Sequence, residues 1–216
     1  MGLKESGLRG SLRNVSVGIN AIPDTEAIKY RYNGEEGLTD SEWMDQAENE
    51  DLFFENDPDV GEDSVTFDGN DQNARHEQSV PVSMPFEIWL VAEMSSEEDG
   101  NIFGGRESSG TFTTTFSVND GNWGMFHGES ISGSSVDTNL NIFRTVWDSN
   151  DSALEINESV DVTGDVGSRD WNEFFVIADN ERRDNPKDLT AYETIVYENR
   201  DDDRATDVYS YLNRWL

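Results

Sequence analysis

Residues 112–126 read FTTTFSVNDGNWGMF, a stretch in which two strand-like patterns flank a turn-like pattern. Before the turn, apolar and polar residues alternate, which is the period of a half-buried β-strand. The turn, Asn119-Asp120-Gly121-Asn122, consists of residue types that tolerate the left-handed backbone of a tight reversal. The chain then continues into Trp123-Gly124-Met125-Phe126. We therefore expect two antiparallel strands joined by this turn.

The same succession of short strands and turns extends in both directions from this stretch. Residues 86–94 form an apolar-rich run that is typical of a central strand buried on both faces. Further strand patterns lie at 28–32, 140–147, 171–178 and 189–197. Strands at such regular spacing favour a sandwich or a barrel over βαβ units.

The end of the chain has a different period. Apolar residues recur there at helical spacing, namely Ala205, Val208, Leu212 and Trp215. The acidic run at 201–203 suits the positive end of a helix dipole, and Arg214 suits the negative end. The expected fold class is therefore all-β, a two-sheet antiparallel sandwich with one C-terminal α-helix at about residues 203–215.

Charge is the dominant feature of the composition. The chain has 46 Asp and Glu residues against 15 Lys and Arg residues, a formal net charge of −31, and the acids are spread over its whole length. Self-repulsion on this scale destabilises a compact state in ordinary buffer, whereas molar salt, with a Debye length of about 3 Å, screens it. The sequence therefore predicts a halophilic source. The 11% of aromatic residues still provides for a folded core.

Composition also disfavours several classes of partner. Nucleic acid requires a basic patch, which a chain this acidic does not offer. No apolar run approaches the length of a membrane-spanning helix, so membrane insertion is not expected. The chain has no Cys, which excludes disulfides and thiolate metal sites.

The first 22 residues differ from the rest of the chain. Basic residues outnumber acidic ones there, and the composition changes at Ile22-Pro23-Asp24. One interpretation is a frayed terminus. The other divides the chain into an attachment or oligomerisation arm at 1–22 and a β-sandwich domain at 23–216. The arm would bind through its apolar residues, Leu8, Leu12, Val15, Val17 and Ile19.

Four segments carry a family resemblance. SVTFDGND at 64–71 resembles a VxFDGxxD strand and turn, and PFEIWLV at 85–91 resembles the strand that follows it. NIFGG at 101–105 fits the next strand, and ETIVY at 193–197 with YLNRW at 211–215 fits the ending. Together they resemble the laminin-G-like, concanavalin A-like lectin and glucanase domains over roughly residues 24–216. The resemblance implies a jelly-roll sandwich.

The resemblance does not extend to catalysis. Glucanases of that family carry their carboxylates as Glu-x-Asp-x-Glu on one strand, a pattern that this chain lacks. The nearest approach is Glu55-Asn56-Asp57-Pro58-Asp59, in which Pro58 breaks the strand. The chain has two histidines and no Gly-x-Ser-x-Gly elbow. We therefore expect a protein that is not an enzyme, with a divergent, inactive glycoside hydrolase as an alternative.

Calcium is the one cofactor that the resemblance suggests, because family members often hold it at loop tips. Calcium takes six to eight oxygen ligands from carboxylates, amides and carbonyls. Candidate ligands in the predicted turns are Asp68, Asn70, Asp71, Asp99 and Asn101. The alternative is that these are ordinary turn residues, where Asp and Asn are favoured in any case.

A carbohydrate site combines an aromatic face for the sugar ring with polar side chains for its hydroxyls. The best local combination is Trp123 with the nearby polar residues Arg106, Asn119, Asp120 and Asn122. The alternative is that Trp123 belongs to the core. Trp43, among polar neighbours, is a candidate exposed anchor for an interface.

Ala21-Ile22-Pro23-Asp24, between a short Gly-rich arm and this domain, is similar to surface proteins of haloarchaeal tailed viruses. That resemblance implies a virion structural protein, on the capsid surface or tail, that attaches to a host glycan or glycoprotein. Its partners would be other copies of itself, as a trimer or pentamer, and other virion proteins. The alternative is a cellular carbohydrate-binding module of a halophile, extracellular or cytoplasmic.

Overall fold

The computed structural model describes residues 21–77, 81–106, 112–168, 175–179 and 185–216. In these residues, two antiparallel sheets of eight strands each pack face to face. The first sheet contains β1 Ile28–Asn33, β4 Asp59–Val60, β5 Val65–Asp68, β7 Phe86–Met94, β12 Leu140–Trp147, β13 Ser152–Ile156, β14 Ser159–Gly164 and β16 Asp188–Tyr197. The second contains β2 Glu42–Trp43, β3 Leu52–Glu55, β6 Asn73–Arg75, β8 Gly100–Arg106, β9 Phe112–Asn119, β10 Asn122–Phe126, β11 Ser130–Ser135 and β15 Val176–Ile177. The expected two-sheet sandwich is confirmed.

The chain passes repeatedly between the sheets. The strand order is β14-β13-β12-β7-β16-β5-β4 in the first sheet and β11-β10-β9-β8-β15-β6-β3-β2 in the second. Strand β16 pairs with β5 through its first half and with β1 through its second half. Neighbouring strands are therefore often distant in sequence, and β7 lies between β12 and β16 at the centre of the first sheet.

The predicted hairpin is formed by β9 and β10. Asn119 pairs with Asn122 across a two-residue turn, and Trp123 pairs with Val118. Asp120 and Gly121 have φ values of 50° and 71°, the left-handed backbone that such a turn requires. The hairpin thus positions its side chains as the sequence pattern predicts.

The C-terminal helix, α1, spans Asp202–Leu212 and covers the outer face of the first sheet. The Asp201 carboxylate caps it by accepting from the backbone N–H groups of Asp203 and Arg204 at 3.0 and 3.3 Å. Val208 and Leu212 are buried against the sheet, as predicted. The helix ends three residues earlier than expected, and Trp215 packs against the sheet after the helix has ended. Two short 3₁₀ helices, Thr25–Ala27 and Ser149–Asp151, are also present.

A buried carboxylate on β7 joins the helix to the first sheet. Glu87 accepts hydrogen bonds from Trp89 Nε1 at 3.1 Å and Arg144 Nε at 2.9 Å within the sheet. It also accepts from the Asp201 backbone N–H at 2.6 Å and from Arg204 Nη2 at 2.8 Å on the helix side. A charge buried this deeply requires such partners, because desolvation otherwise costs several kcal/mol.

A second buried carboxylate repeats the arrangement at the other end of the helix. Glu193 on β16 accepts from Arg31 Nε at 3.2 Å and from Tyr211 Oη at 2.9 Å. Arg214 Nη2 and Trp215 Nε1 donate to its other oxygen at 2.5 and 2.9 Å. The helix is therefore held on the sheet by two polar anchors as well as by apolar packing.

The sandwich protects its sheet edges in two ways. On one side, β2 and β4 are only two residues long, and β1, which among the described strands pairs only with β16, has its Arg31 backbone groups bonded to Asp45 and Gln46 of a loop. On the other side, Asp161 of β14 reaches across the gap between the sheets, and its Oδ2 accepts from the Ser134 backbone N–H of β11 at 2.9 Å. Both devices reduce the backbone that the edges expose for pairing.

Two further expectations from the sequence were an N-terminal arm at residues 1–22 and the absence of a membrane-spanning helix. The arm residues Leu8, Leu12, Val15, Val17 and Ile19 lie outside the described residues, so the division at residue 22 stays a prediction. Within the described part of the chain, no helix combines the length and the apolar character needed to cross a bilayer.

Candidate functional site

An open pocket of about 610 Å³ lies beside the second sheet, where the loop between β2 and β3 meets Glu77, two residues after β6. We call it the acidic pocket. Its lining consists of Met44, Asp45, Gln46, Glu48, Asn49, Glu50, Asp51, Phe53 and Glu77. Five of these residues are carboxylates, and none of the nine is Lys or Arg.

The loop that forms the pocket is organised around one buried carboxylate, Asp45. Its Oδ1 accepts from the backbone N–H groups of Arg31 and Ala47 at 2.8 and 3.0 Å. Its Oδ2 accepts from those of Asn49 and Glu50 at 2.8 and 3.3 Å. Burial raises the pKa of Asp45, and these backbone donors oppose the shift. The loop is therefore fixed in shape before any ligand arrives.

Beneath the loop lies a buried pair of side chains, Tyr32 and His76. Tyr32 Oη donates to the Glu50 carbonyl at 2.7 Å and lies 2.6 Å from His76 Nε2. Because the Phe175 backbone N–H points at His76 Nδ1 at 3.5 Å, we assign the ring proton to Nε2. Burial lowers the pKa of His76 to about 3, so the imidazole is neutral near pH 7. This pair supports the loop from the core side.

The pocket also presents apolar surface. Strand β3 turns Leu52 and Phe54 towards the core, so the ring of Phe53 faces outward and is only partly buried. Met44 is 40% exposed. The amides of Gln46 and Asn49 lie on exposed side chains of the same loop. The pocket thus combines an aromatic face with hydrogen-bonding groups.

The carbohydrate site predicted around Trp123 is wrong. Trp123 is 1% exposed and packs in the core, with its ring centroid 4.9 Å from that of Phe143 and 6.0 Å from that of Phe116. The alternative, a core tryptophan, is the correct one. Its register partner in the hairpin, Val118, is buried on the same face.

The polar partners proposed for that site are also not brought together. Asn119, Asp120 and Asn122 form the tip of the β9–β10 hairpin, and Asn122 Nδ2 donates to the Asp120 carbonyl at 3.0 Å. Arg106 pairs with Phe112 at the other end of β9, about 20 Å away along the strand.

Trp43 was likewise expected to be exposed, and it is fully buried. Strand β2, which carries it, is only two residues long. Its indole ring lies 6.0 Å from the ring of Tyr32. Trp43 therefore supports the acidic pocket from below and is not an interface anchor.

The predicted calcium ligands make hydrogen bonds of their own. The Asn70 backbone N–H and Nδ2 donate to the Asp68 carboxylate at 2.9 and 3.0 Å, and this side-chain hydrogen bond lowers the pKa of Asp68. The Asp71 carbonyl accepts from a neighbouring amide. Asp99 Oδ1 accepts from a backbone N–H of the β9–β10 turn, and Asn101 Nδ2 donates to a backbone carbonyl. Among the described residues, no group of three or more His, Asp or Glu side chains is placed to hold a metal ion.

The near match to a catalytic carboxylate strand does not form one face. Strand β3 ends at Glu55, and Asn56 and Asp57 have φ values of 59° and 51°. The left-handed backbone breaks the alternation that would align the three acids. This agrees with the sequence-based interpretation of 55–59 as a loop.

Sequence reasoning did not find the acidic pocket. The local signal is weak, because an Asp side chain commonly accepts from the backbone N–H two residues on, as Asp45 does from Ala47, and the chain has 46 acidic residues. The contribution of Arg31 and Glu77 depends on contacts between distant parts of the chain, and no local pattern reveals it.

Comparison with known proteins supports the fold. No family model and no curated protein matches the chain. Solved structures do match. Trypanosoma rangeli sialidase is 13% identical with a TM-score of 0.70, over 91% of this chain and 34% of the sialidase. The receptor-binding domain of botulinum neurotoxin C/D mosaic serotype is 8% identical with a TM-score of 0.68, over 89% of this chain and 52% of that domain.

These similarities support the fold, and they contradict the function expected from the sequence. The chain spans about a third of the sialidase and about half of the toxin domain, and identities this low show the fold alone. The expectation of a haloarchaeal virion structural protein is wrong, because the structural neighbours are sialidases and toxin receptor-binding domains. A two-sheet β-sandwich fold is what the neighbours support.

Proposed function

We propose that this chain is a carbohydrate-binding domain without catalytic activity and that the acidic pocket is its binding site. The observation that carries the proposal is the outward ring of Phe53 beside carboxylate and amide groups on a loop that Asp45 holds in place. The apolar C–H face of a sugar ring packs well on an aromatic ring, and ionised carboxylates accept strong hydrogen bonds from hydroxyls.

The shape of the site fits this proposal. Ligand pockets are concave, largely formed in advance, and lined by apolar surface with a few polar groups in fixed positions. The Asp45 hydrogen bonds and the Tyr32–Glu50 contact fix the loop backbone, so binding would not have to order it. The volume of about 610 Å³ accommodates a short oligosaccharide segment.

Charge decides which sugars the pocket would accept. Two carboxylates about 6 Å apart repel each other by about 3 kcal/mol at an effective dielectric constant near 20, which exceeds the net gain of a typical hydrogen bond. Because the described residues of its lining include five carboxylates and no Lys or Arg, the pocket favours neutral or amine-bearing glycans over sialylated ones. The ligand would therefore differ from the sialic acid that the sialidase neighbours are named for.

We also propose that the domain works at high salt. The formal charge of −31 makes screening necessary for a compact state. Screening also weakens the selection against acidic glycans, because the Debye length at 1 M is about 3 Å. Binding should therefore be measured at several salt concentrations at which the fold is retained.

The test is a glycan array containing matched neutral and sialylated versions of the same oligosaccharides. The full chain should bind a neutral or amine-bearing glycan, and sialylation near the contact point should reduce the signal most at the lowest salt. The variant Phe53→Ala should lose at least about tenfold in affinity, which equals about 1.4 kcal/mol.

The matched control is Phe126→Ala, which removes another partly buried phenylalanine from the second sheet, five strands away. Binding that survives Phe53→Ala unchanged, or binding restricted to sialylated glycans, would contradict the proposed site. Release of reducing sugar from a bound glycan would contradict the absence of catalysis.

A further inference from the structure

The ammonium group of Lys187 is buried among oxygen atoms, as a bound cation would be. Lys187 is 1% exposed, and its Nζ lies 2.9 Å from the Ser96 carbonyl oxygen and 2.8 Å from that of Glu98. The Ser96 hydroxyl and the Asp188 Oδ1 complete the surroundings at 3.2 and 3.0 Å. The three N–H bonds of the ammonium are thus directed at four oxygen atoms.

These four oxygens have the character of a cation site. Carbonyl, hydroxyl and carboxylate oxygens are the ligands that hard cations prefer in proteins. Their combined formal charge is −1, which matches a monovalent ion. Their distances from Nζ, 2.8 to 3.2 Å, exceed the 2.3–2.6 Å that is usual for calcium and suit an ion as large as ammonium.

The lysine reaches this position from inside the fold. Its backbone N–H donates to the Ala178 carbonyl at 2.9 Å, which fixes the start of the side chain. The stem passes over Gly100, where a Cβ atom would lie 3.0 Å from the Lys187 Cδ and 2.9 Å from the Pro186 carbonyl oxygen. The absence of a side chain at residue 100 therefore leaves the path that the lysine uses.

Three of the four oxygens belong to Ser96 and Glu98 in the loop between β7 and β8, and the fourth belongs to Asp188 of β16, so the ammonium ties that loop to β16. The Ser96 hydroxyl donates to Asp188 Oδ1 at 2.9 Å, and the Ser95 backbone N–H donates to the Asp188 carbonyl at 3.2 Å. Farther along the loop, Asp99 accepts from the Gly121 backbone N–H at 3.2 Å and so also holds the β9–β10 turn. Fixing this loop consequently fixes the tip of the neighbouring hairpin.

We propose that the loop at residues 96–98, together with Asp188, forms a monovalent-cation site that Lys187 fills with its own tethered cation. The calcium ligands predicted in this region, Asp99 and Asn101, are not among these four oxygens. Truncating the lysine opens a site that binds potassium or ammonium from solution. An ion would enter past the Asp188 carboxylate, whose side chain is 28% exposed.

The experiment compares the thermal midpoints of the full chain and of Lys187→Ala in choline chloride, then replaces choline with potassium or ammonium at constant ionic strength. In choline chloride, Lys187→Ala should melt at least roughly 5 °C below the parent chain, because the loop oxygens lose their cation. Potassium or ammonium should restore most of this loss in a saturable manner, whereas the parent chain should not respond to the exchange.

Two control variants separate a cation site from general stabilisation. Lys29→Ala removes a lysine whose ion pair with Glu198 is partly exposed, so its midpoint should not depend on which cation is present. Lys187→Met keeps an apolar side chain on the path past Gly100 and so leaves no room for an ion. This variant should be destabilised and should not respond to potassium.

The proposal is overturned if Lys187→Ala melts at the parent temperature, or if it responds to potassium no more than Lys29→Ala does. If Lys187→Ala is unfolded in choline chloride, near-UV circular dichroism takes the place of the melting curve. Recovery of the native signal on adding potassium or ammonium then supports the site, and its absence overturns it.

Discussion

Arg144 and Glu87 form an ion pair between neighbouring strands of the first sheet, and 2% and 0% of their side chains are exposed. The Arg144 guanidinium also contacts Glu155 and Asp202, so it connects β7, β13 and the helix. A buried pair of this kind adds little stability compared with apolar residues of the same size, but removal of one partner leaves an uncompensated charge. The pair therefore lies in a network of charges that joins the helix to the sheet.

Replacing Arg144 with Met should lower the free energy of unfolding by about 3–5 kcal/mol, because Glu87 loses a donor within the sheet. Urea unfolding at fixed salt measures this loss. The control is Arg75→Met, which breaks a partly exposed pair with Glu55 at 3.7 Å and should cost less than about 1 kcal/mol. Equal losses in the two variants would show that the buried pair has no special role.

His76 should make the fold less stable in acid. Burial lowers its pKa from the usual 6.5 to about 3, so the unfolded chain binds a proton more readily than the folded chain does. Stability from this residue is therefore complete above about pH 6.5 and is lost as the pH falls from there towards about pH 3. Between about pH 7 and about pH 5 the expected loss is about 2 kcal/mol.

The matching variant is His76→Gln, which removes the titrating ring. It should be less stable than the parent chain near neutral pH, because the contact with Tyr32 is disturbed, but the difference should shrink as the pH falls. Unfolding curves in urea at several pH values provide the comparison. A parent chain and variant with the same pH slope would exclude His76 as the source.

Low ionic strength should unfold the domain. The acidic side chains that produce the formal charge of −31 repel one another. This repulsion is screened only when the salt concentration is high enough to make the Debye length short. Of the described arginines, six already have carboxylate partners within the fold, namely Arg31, Arg75, Arg144, Arg200, Arg204 and Arg214. Dialysis from molar salt into dilute buffer should abolish the near-UV circular dichroism, and an unchanged spectrum would be decisive against this expectation.

Asp45 should be required for the shape of the acidic pocket. The variant Asp45→Ala removes the acceptor of four backbone N–H groups, so we expect a loss of about 2–4 kcal/mol in unfolding free energy and a weaker affinity for any glycan that binds. Asp40→Ala is the control, because it removes an exposed carboxylate that lies nearby in sequence. If both variants bind glycan equally well, the pocket does not depend on the loop anchor.

Strands and helices with a regular spacing of apolar residues were predictable from the sequence. The alternation at 112–118 and the turn at 119–122 specify a hairpin, and helical spacing specifies α1 to within a few residues. The burial of Trp123 also follows from the hairpin, because a two-residue turn places it opposite Val118 on the apolar face.

The functional geometry was not predictable in the same way. Trp43 lies on a two-residue strand, which is too short to show a period, and its burial results from contacts with Tyr32 in another sheet. Arg106 appeared close to Trp123 in sequence, but antiparallel pairing carries it to the far end of the strand. The Lys187 site depends on loops that are about ninety residues apart. Such contacts arise from topology, and local composition does not encode them.

The short outer strands β2 and β4 also have a consequence for crowded solutions. Intermolecular sheet growth begins when one chain adds its backbone to a free strand of another. Two residues offer a neighbouring polypeptide few unpaired N–H and C=O groups, and Asp161 already occupies the Ser134 N–H of β11 on the opposite side. Strands β2 and β4 are therefore poor templates for cross-β growth, even at concentrations and salt levels that drive folded proteins together.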